Sequence, residues 1–318
     1  MNKLTIGKVT LDTPVILAPM AAVNCAAFRL LCREAGAGLV TTPMLVANQI
    51  VANPEKIISR TCYLKNEKPI STQLLGSDKK LMEEATRIVD EFSDIIDINL
   101  GCPEKDALTL KAGAFYVKHP EQIKKAIAPV ISATNKPVTA KIRIGWDEKS
   151  IKTLEIIKIL EDLGVDAIAI HGRTKVQKYS GKADWDEIKK AKEKANIPII
   201  GNGDIFKPGT AKAMFEQTKC DGVMVGRGAI GYPLIFKGIK AVLEEKNIPE
   251  PTEKEKIDSF MKFLEYYKEH ENTRSFTELR QQSMWFTKSL KGAKELRNKL
   301  MMVKTVDEIL NIYSKISK

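Results

Sequence analysis

Eight short apolar runs, at residues 15–18, 39–42, 70–74, 95–100, 138–142, 167–170, 199–201 and 222–225, each lead into helix-compatible sequence. Continuous apolar runs are what strands buried on both faces require, and their alternation with helices specifies a parallel sheet. Doubly wound open sheets share that alternation, so the number of units decides between the architectures. Eight strand–helix units predict a closed (β/α)8, or TIM, barrel. Helical periodicity over 121–134, 150–163 and 184–195 fits the connections. Residues 4–6 and 9–11 flank Gly7-Lys8 and predict a hairpin ahead of the first unit, placed to plug the barrel's amino-terminal end.

After Ile235 no strand pattern recurs. Residues 247–252 read as a linker ending on a helix cap, Thr252 before Glu255, and residues 253–318 read as helices only. One apolar face comprises Phe260, Phe263, Leu264 and Tyr267; another comprises Met301, Val306, Ile309, Leu310 and Ile312. The expected organisation is a barrel domain over 1–240, a connection over 241–252 and a helical domain over 253–318. A 318-residue chain that is 43% hydrophobic can bury such a core and its appendage.

Net charge is +11, with an isoelectric point near 9.2. Between Arg274 and Lys318, ten Lys or Arg stand against four Asp or Glu, so over half of the excess lies in the last helices. Charge gathered in one segment fits a polyanion-binding face, although solvated helix faces are often basic too. The amino terminus lacks a basic region followed by an apolar core, and the uncharged stretch 13–28 is broken by Pro14 and Pro19. Neither a signal peptide nor a membrane span is expected. Five cysteines, at 25, 32, 62, 102 and 220, form no CxxC pair, and there are only three histidines. That usage supports neither a metal site nor a disulfide framework and fits a reducing cytoplasm. Oligomeric state is not legible, and a monomer is assumed.

Barrel enzymes build their sites at the carboxyl ends of strands, so polar residues there are the candidates. The first run ends in Pro19-Met20-Ala21, the third in Gln73, the fourth in Asn99 and Cys102, and the fifth in Lys141 and Arg143. His171 and Arg173 follow the sixth, Asn202-Gly203-Asp204 the seventh, and Gly226-Arg227 the eighth. Cys102 stands between Gly101 and Pro103, where the chain must leave the strand; a lone cysteine is otherwise most often a small buried hydrophobe. Residues 226–231 match GxGxxG, with Glu244 or Glu245 available as a ribose-binding acid. No strand–helix–strand unit follows them, which removes the dinucleotide-binding context. In a barrel, glycine-rich turns after the last two strands form a phosphate site, pointing to a phosphorylated cofactor such as FMN.

With these residues in place, the chain resembles the tRNA-dihydrouridine synthases. The resemblance rests on Ala18-Pro19-Met20 with Phe28-Arg29, on Asn99-Leu-Gly-Cys-Pro103, on Lys141-Ile-Arg-Ile-Gly-Trp146 and on His171-Gly-Arg-Thr174. Tyr179-Ser-Gly181, Ala183-Asp-Trp185, Gly201-Asn-Gly-Asp-Ile205 and Met224-Val-Gly-Arg-Gly228 continue it in order. In the tail, Arg280, Trp285, Lys288, Gly292 and Leu296-Arg297 resemble the family's helical tRNA-binding domain. The resemblance implies FMN held by Pro19, Met20, Ala21, Gln73, Lys141, His171, Asn202, Gly203, Asp204, Gly226 and Arg227. It implies NADPH or NADH as electron donor, hydride transfer from reduced flavin to C6 of uracil, and Cys102 as proton donor to C5. A thiol with a pKa of about 8.5 stays mostly protonated near neutrality yet can release its proton.

A stacked or paired uracil must be flipped out to meet a flavin. Asn99, Arg143 and Arg173 are the candidates for the pyrimidine's polar edge. Arg280, Lys288, Lys291, Lys294 and Arg297 are the candidates for tRNA phosphates, with Arg280, Lys288 and Lys291 predicted on one helical face. Trp285 is read as core packing. The sequence departs from the family pattern at Val23-Asn24-Cys25, at Asp106, where lysine is common, and over Ala112–Tyr116. These departures bear on which uridine is chosen; Cys25 and His119 are read as structural. Two other readings stay open. A dihydroorotate-dehydrogenase-like barrel would need no basic helical tail, and a non-catalytic tRNA-binding protein would carry no flavin.

Overall fold

The computed structural model describes residues 3–247, 249–271, 274–288 and 290–316. Strands β1 (Leu4–Ile6) and β2 (Val9–Leu11) pair as an antiparallel hairpin. The parallel strands follow as β3 (Val15–Leu17), β4 (Val40–Thr41), β5 (Leu45–Val46), β6 (Ile70–Leu75), β7 (Ile95–Leu100), β8 (Val138–Arg143), β9 (Ala167–His171), β10 (Ile199–Asn202) and β11 (Gly222–Val225). All eight predicted barrel strands are present. Their spatial order is β3-β11-β10-β9-β8-β7-β6-β4, and the ring closes where Ile16 bridges Leu39 in parallel. The extra strand β5 continues β4's line along β6. At two residues it is too short to leave a periodic signal.

The strands are apolar because both faces are covered: helices pack outside, and side chains fill the interior. Leu4, Ile6 and Leu11 of the hairpin join Ile16, Ile95, Ala169, Ile200 and Met224 in one buried cluster inside the ring. The hairpin thus plugs the end opposite the carboxyl rim, as expected. The helical spans also hold with shorter ends: residues 121–134 become a 3-10 turn, Pro120–Gln122, running into the helix Ile123–Ala133. Residues 150–163 and 184–195 become Thr153–Asp162 and Trp185–Lys194.

Beyond the barrel lie the helices Glu253–His270, Phe276–Phe286, Ala293–Met302 and Val306–Ile316. Thr252 and Glu255 form the reciprocal capping box that their spacing suggested. Phe260, Phe263, Phe286 and Tyr313 are buried against one another, with Phe260 stacked on Tyr313 at 3.8 Å between centroids. Ile309 joins this core, and Val306, Leu310 and Ile312 pack at its edge, but Met301 does not: it is 59% exposed. Met301 lies in the last turn of a helix whose buried positions are Leu296 and Leu300, so a residue one step further on turns outward.

Polar contacts tie these helices to the barrel. Glu271 accepts a hydrogen bond from Ala27 N–H at the start of the helix Ala26–Glu34, and Gln282 Nε2 donates to the carbonyls of Ala22 and Val23. A side chain at Gly231 would sit 2.0 Å from the Trp285 carbonyl, so only glycine permits the approach of those two backbones. Beneath this junction the Arg29–Glu67 ion pair is fully buried, with Arg29 also donating to the carbonyls of Asn24, Thr61 and Cys62. Glu67→Ala would strand the guanidinium and is expected to cost on the order of 3–5 kcal/mol, read as a lowered urea midpoint. Joint replacement, Arg29→Met with Glu67→Leu, should recover only part of that loss: no charge is left unpaired, but the carbonyls of Asn24, Thr61 and Cys62 lose their donor.

Candidate active site

Parallel closure brings every strand's carboxyl end to one rim. There Pro19, Met20, Ala21, Gln73, Asn99, Cys102, Lys141, Arg143, His171, Asn202, Gly203, Asp204, Gly226 and Arg227 line a single cavity of about 480 Å³. Residues scattered over two hundred positions therefore share one space of the size typical for a small-ligand site. Arg173 is not in that lining. It is buried, and its guanidinium donates to the carbonyls of Ser180 and Gly181 and pairs with Asp204. Met44, Glu104, Tyr179 and Phe206 line the cavity too and were not read as site residues. Tyr179 lay inside a recognised motif, whereas nothing in the sequence marked the other three.

Cys102 is held by its backbone. Asn99 Oδ1 accepts hydrogen bonds from the N–H groups of Gly101 and Cys102 at 3.1 and 2.8 Å, closing the turn at the end of β7. Arg143 Nε donates to the Gly101 carbonyl, and its Nη1 to those of Thr174 and Lys178, so this arginine clamps two rim loops while facing the cavity. The Asn99 amide in turn donates to Gln73 Oε1, and Gln73 Nε2 donates to the buried Asp97 carboxylate.

The site is electropositive and partly dry. Burial, followed by repulsion from Arg143, lowers Lys141 to about 8, with Asp97 opposing the shift. Burial pushes His171 well below the usual histidine range, reinforced by Lys141, Arg143, Arg173 and Arg227, so its imidazole is neutral. Cys102 is raised by burial, while Arg143 and Lys141 pull it back. Lys141 Nζ donates to Asn202 Oδ1 at 3.2 Å, and Asn202 Nδ2 to the Met224 carbonyl, which fixes the ammonium against β10 and β11. Opposite, Arg227 lies between the exposed rings of Tyr179 and Phe206, at 4.6 and 5.4 Å from their centroids, with Asp204 3.6 Å away.

The basic residues of the tail lie on the helical region rather than in the cavity. The sequence reading that put Arg280, Lys288 and Lys291 on one helical face fails. The helix ends at Phe286, Thr287 turns its hydroxyl back onto the Met284 carbonyl, and the next helix starts only after Gly292 at φ +69°. Arg280 donates to the Met301 carbonyl and Arg297 to Thr287 Oγ1, while Lys288, Lys291 and Lys294 are exposed. Trp285 is half-buried against the core, as expected.

A closed parallel barrel whose polar side chains meet at one cavity on the carboxyl rim defines a (β/α)8-barrel enzyme. Comparison narrows the class. Residues 16–318 match the dihydrouridine synthase family model. The chain is 36% identical over 303 residues to tRNA-dihydrouridine synthase B of Pseudomonas syringae pv. tomato, covering 93% of this chain and 89% of that protein. It is 38% identical over 249 residues to the protein of that name from Escherichia coli K12, covering 78% of each. Among solved structures, the old yellow enzyme homologue of Zymomonas mobilis superimposes with a TM-score of 0.56 at 13% identity, over 80% of this chain and 95% of that one, a likeness of fold. The chain belongs to the dihydrouridine synthase family, whose members are oxidoreductases acting on a CH–CH bond.

The thiol's environment has a measurable consequence. Because burial raises Cys102, its alkylation by iodoacetamide, followed by peptide mass spectrometry, should still be accelerating above pH of about 8.5, where a free cysteine is half ionised. Arg143→Gln should shift that profile further upward, because the guanidinium stays charged across this range and its pull on the thiol is lost.

Proposed function

We propose that this chain is an FMN-dependent tRNA-dihydrouridine synthase, reducing the C5–C6 double bond of a uridine in tRNA with NADPH or NADH as electron donor. The observation that carries the reading is Cys102, held by Asn99 and Arg143 at the edge of the cavity that Lys141, His171 and Gly226 also line.

The residues present fit a flavin mononucleotide. Lys141 has three N–H donors and spends one on Asn202; among the described residues the neutral His171 ring makes no side-chain hydrogen bond. Both are available to the electron-rich edge of a flavin ring. A Cβ on Gly226 would project to within 3.6 Å of Ala18 and 4.0 Å of Met20, into the space the cofactor would take. Gly203 and Arg227 bring a backbone and a guanidinium suited to a phosphate to the same wall, with Asp204 holding Arg227 and Asn202 holding Lys141. Pro19, Met20, Ala21 and Gln73 complete the site.

The hydride that C6 of the uracil needs would come from the redox chemistry of an FMN bound by these residues. Cys102 holds its proton at rest because burial disfavours the thiolate, and the Sγ–H is the group assigned to protonate C5. Lys141 and Arg143 stabilise the thiolate left behind. Asn99 and Arg143 orient the pyrimidine. Arg173 acts through the loop it braces, and Arg280, Lys288, Lys291 and Arg297 meet tRNA phosphates from the helical domain.

Incubating unmodified tRNA with the protein, FMN and NADPH should yield a uridine heavier by two hydrogens in nucleoside mass spectrometry. Cys102→Ala should slow product formation by roughly 100-fold or more while leaving flavin bound. Unchanged tRNA in the presence of bound flavin would overturn the substrate; absence of flavin binding would overturn the cofactor. Lys288→Ala and Arg297→Ala should each weaken tRNA binding and lower the salt slope by about 0.7–0.9, with flavin affinity unaltered.

A further inference from the structure

Asp97 has no part in the chemistry described so far, yet it terminates a continuous hydrogen-bond chain into the site. It precedes Asn99 by two positions on β7, so both side chains share the barrel's inner face, and it is 4% exposed. Its neighbours in register are Gln73 on β6 and Thr139 on β8. One carboxylate oxygen accepts from Thr139 Oγ1 at 2.6 Å, the other from Gln73 Nε2 at 2.7 Å. Gln73 Oε1 accepts from Asn99 Nδ2 at 2.8 Å, and Asn99 Oδ1 accepts from Gly101 and Cys102 N–H.

The two ends of this chain cannot be reversed. A carboxylate only accepts and a backbone N–H only donates, so each amide between them has a single compatible orientation. Counting protons then says what the cavity meets. Gln73 Nε2 has one N–H left over. Asn99 Nδ2 has one that reaches only the weak acceptor Met44 Sδ, at 3.4 Å. Both cavity-lining amides therefore present donors, and Asn99 has no acceptor to spare.

We propose that Asp97 is a positioning residue that sets the polarity of Gln73 and Asn99, so that both offer N–H groups to carbonyl oxygens of flat heterocycles in the cavity. The proposal rests on the reading of flavin and uracil as occupants. It makes a buried carboxylate, out of reach of either ligand, responsible for the donor pattern they meet and for the turn that carries Cys102.

Exchanging the carboxylate and amide between positions 97 and 99 tests it. Asn99→Asp alone sets a second carboxylate against Gln73, which cannot donate to both ends, and should lower the melting temperature of the purified full-length protein by about 10 °C. Asp97→Asn alone should cost little, because its amide can turn to Thr139 Oγ1 and still present oxygen to Gln73. The double variant reverses Gln73 and satisfies every partner again, so it should regain most of the loss; if Asn99→Asp does not fold, a folded double variant is that rescue. Turnover of tRNA by the double variant should nevertheless stay down by on the order of 100-fold, since position 99 now presents only acceptors. A double variant no more stable than Asn99→Asp, or one that regains turnover with stability, would overturn the proposal. A wild-type protein that reduces no uridine would sink the functional reading instead, and the melting-temperature cycle would still report on the chain's polarity.

Discussion

The barrel closes through a seam that main-chain pairing barely spans, and one loop completes it. β3 meets β4 by a single bridge, with the Leu17 N–H on the Leu39 carbonyl and the Gly38 N–H on that of Val15. Asn24, in the loop after β3, sends its amide to the carbonyls of both Ala18 and Thr41 at 2.8 Å, stapling the two strands at the rim. The same loop contributes Pro19, Met20 and Ala21 to the cavity and receives Gln282 from the helical region on Ala22 and Val23. Ring closure, cavity wall and the docking of the helices thus rest on one segment. Ala22 holds a left-handed backbone within it, at φ +59°.

From that closure the chemistry follows by geometry. A parallel ring has only one carboxyl rim, so polar groups placed at strand ends must face one another. Burial, reinforced by Arg143, depresses Lys141; burial with the surrounding cations keeps His171 neutral, and burial holds Cys102 protonated. Those states suit a site that binds an electron-rich ring and later parts with a proton. Asp97 is the counterweight beneath them: it opposes the depression of Lys141 and anchors the amide chain that supports Cys102.

Much of this was legible along the chain. The strands announced themselves because burial on both faces admits only apolar residues, and the Thr252 cap because its partner Glu255 is local. The polar residues at the strand ends were found because strand ends are recognisable one by one, whereas Met44, Glu104 and Phe206, which line the same cavity, were not. Less legible were features decided by contacts between distant segments. Arg173 sits at a strand end like the others, yet its guanidinium is drawn to Ser180, Gly181 and Asp204. Met301 fits an apolar pattern and lies outside, and the basic tail carries a helix break at Thr287 that periodicity alone passes over.

What the sequence by itself determined is the number and order of strand–helix units, the hairpin, the helical tail and the identities of the polar groups at each strand end. Each is a local property, written in side-chain size, polarity and spacing. What only the tertiary structure decided is which of those groups meet and in what state. Hydrogen-bond polarity through Asp97, Gln73 and Asn99, the neutrality of His171 and the diversion of Arg173 depend on neighbours tens of residues away in the chain. Burial and partner geometry, which exist only once the ring has closed, set those properties.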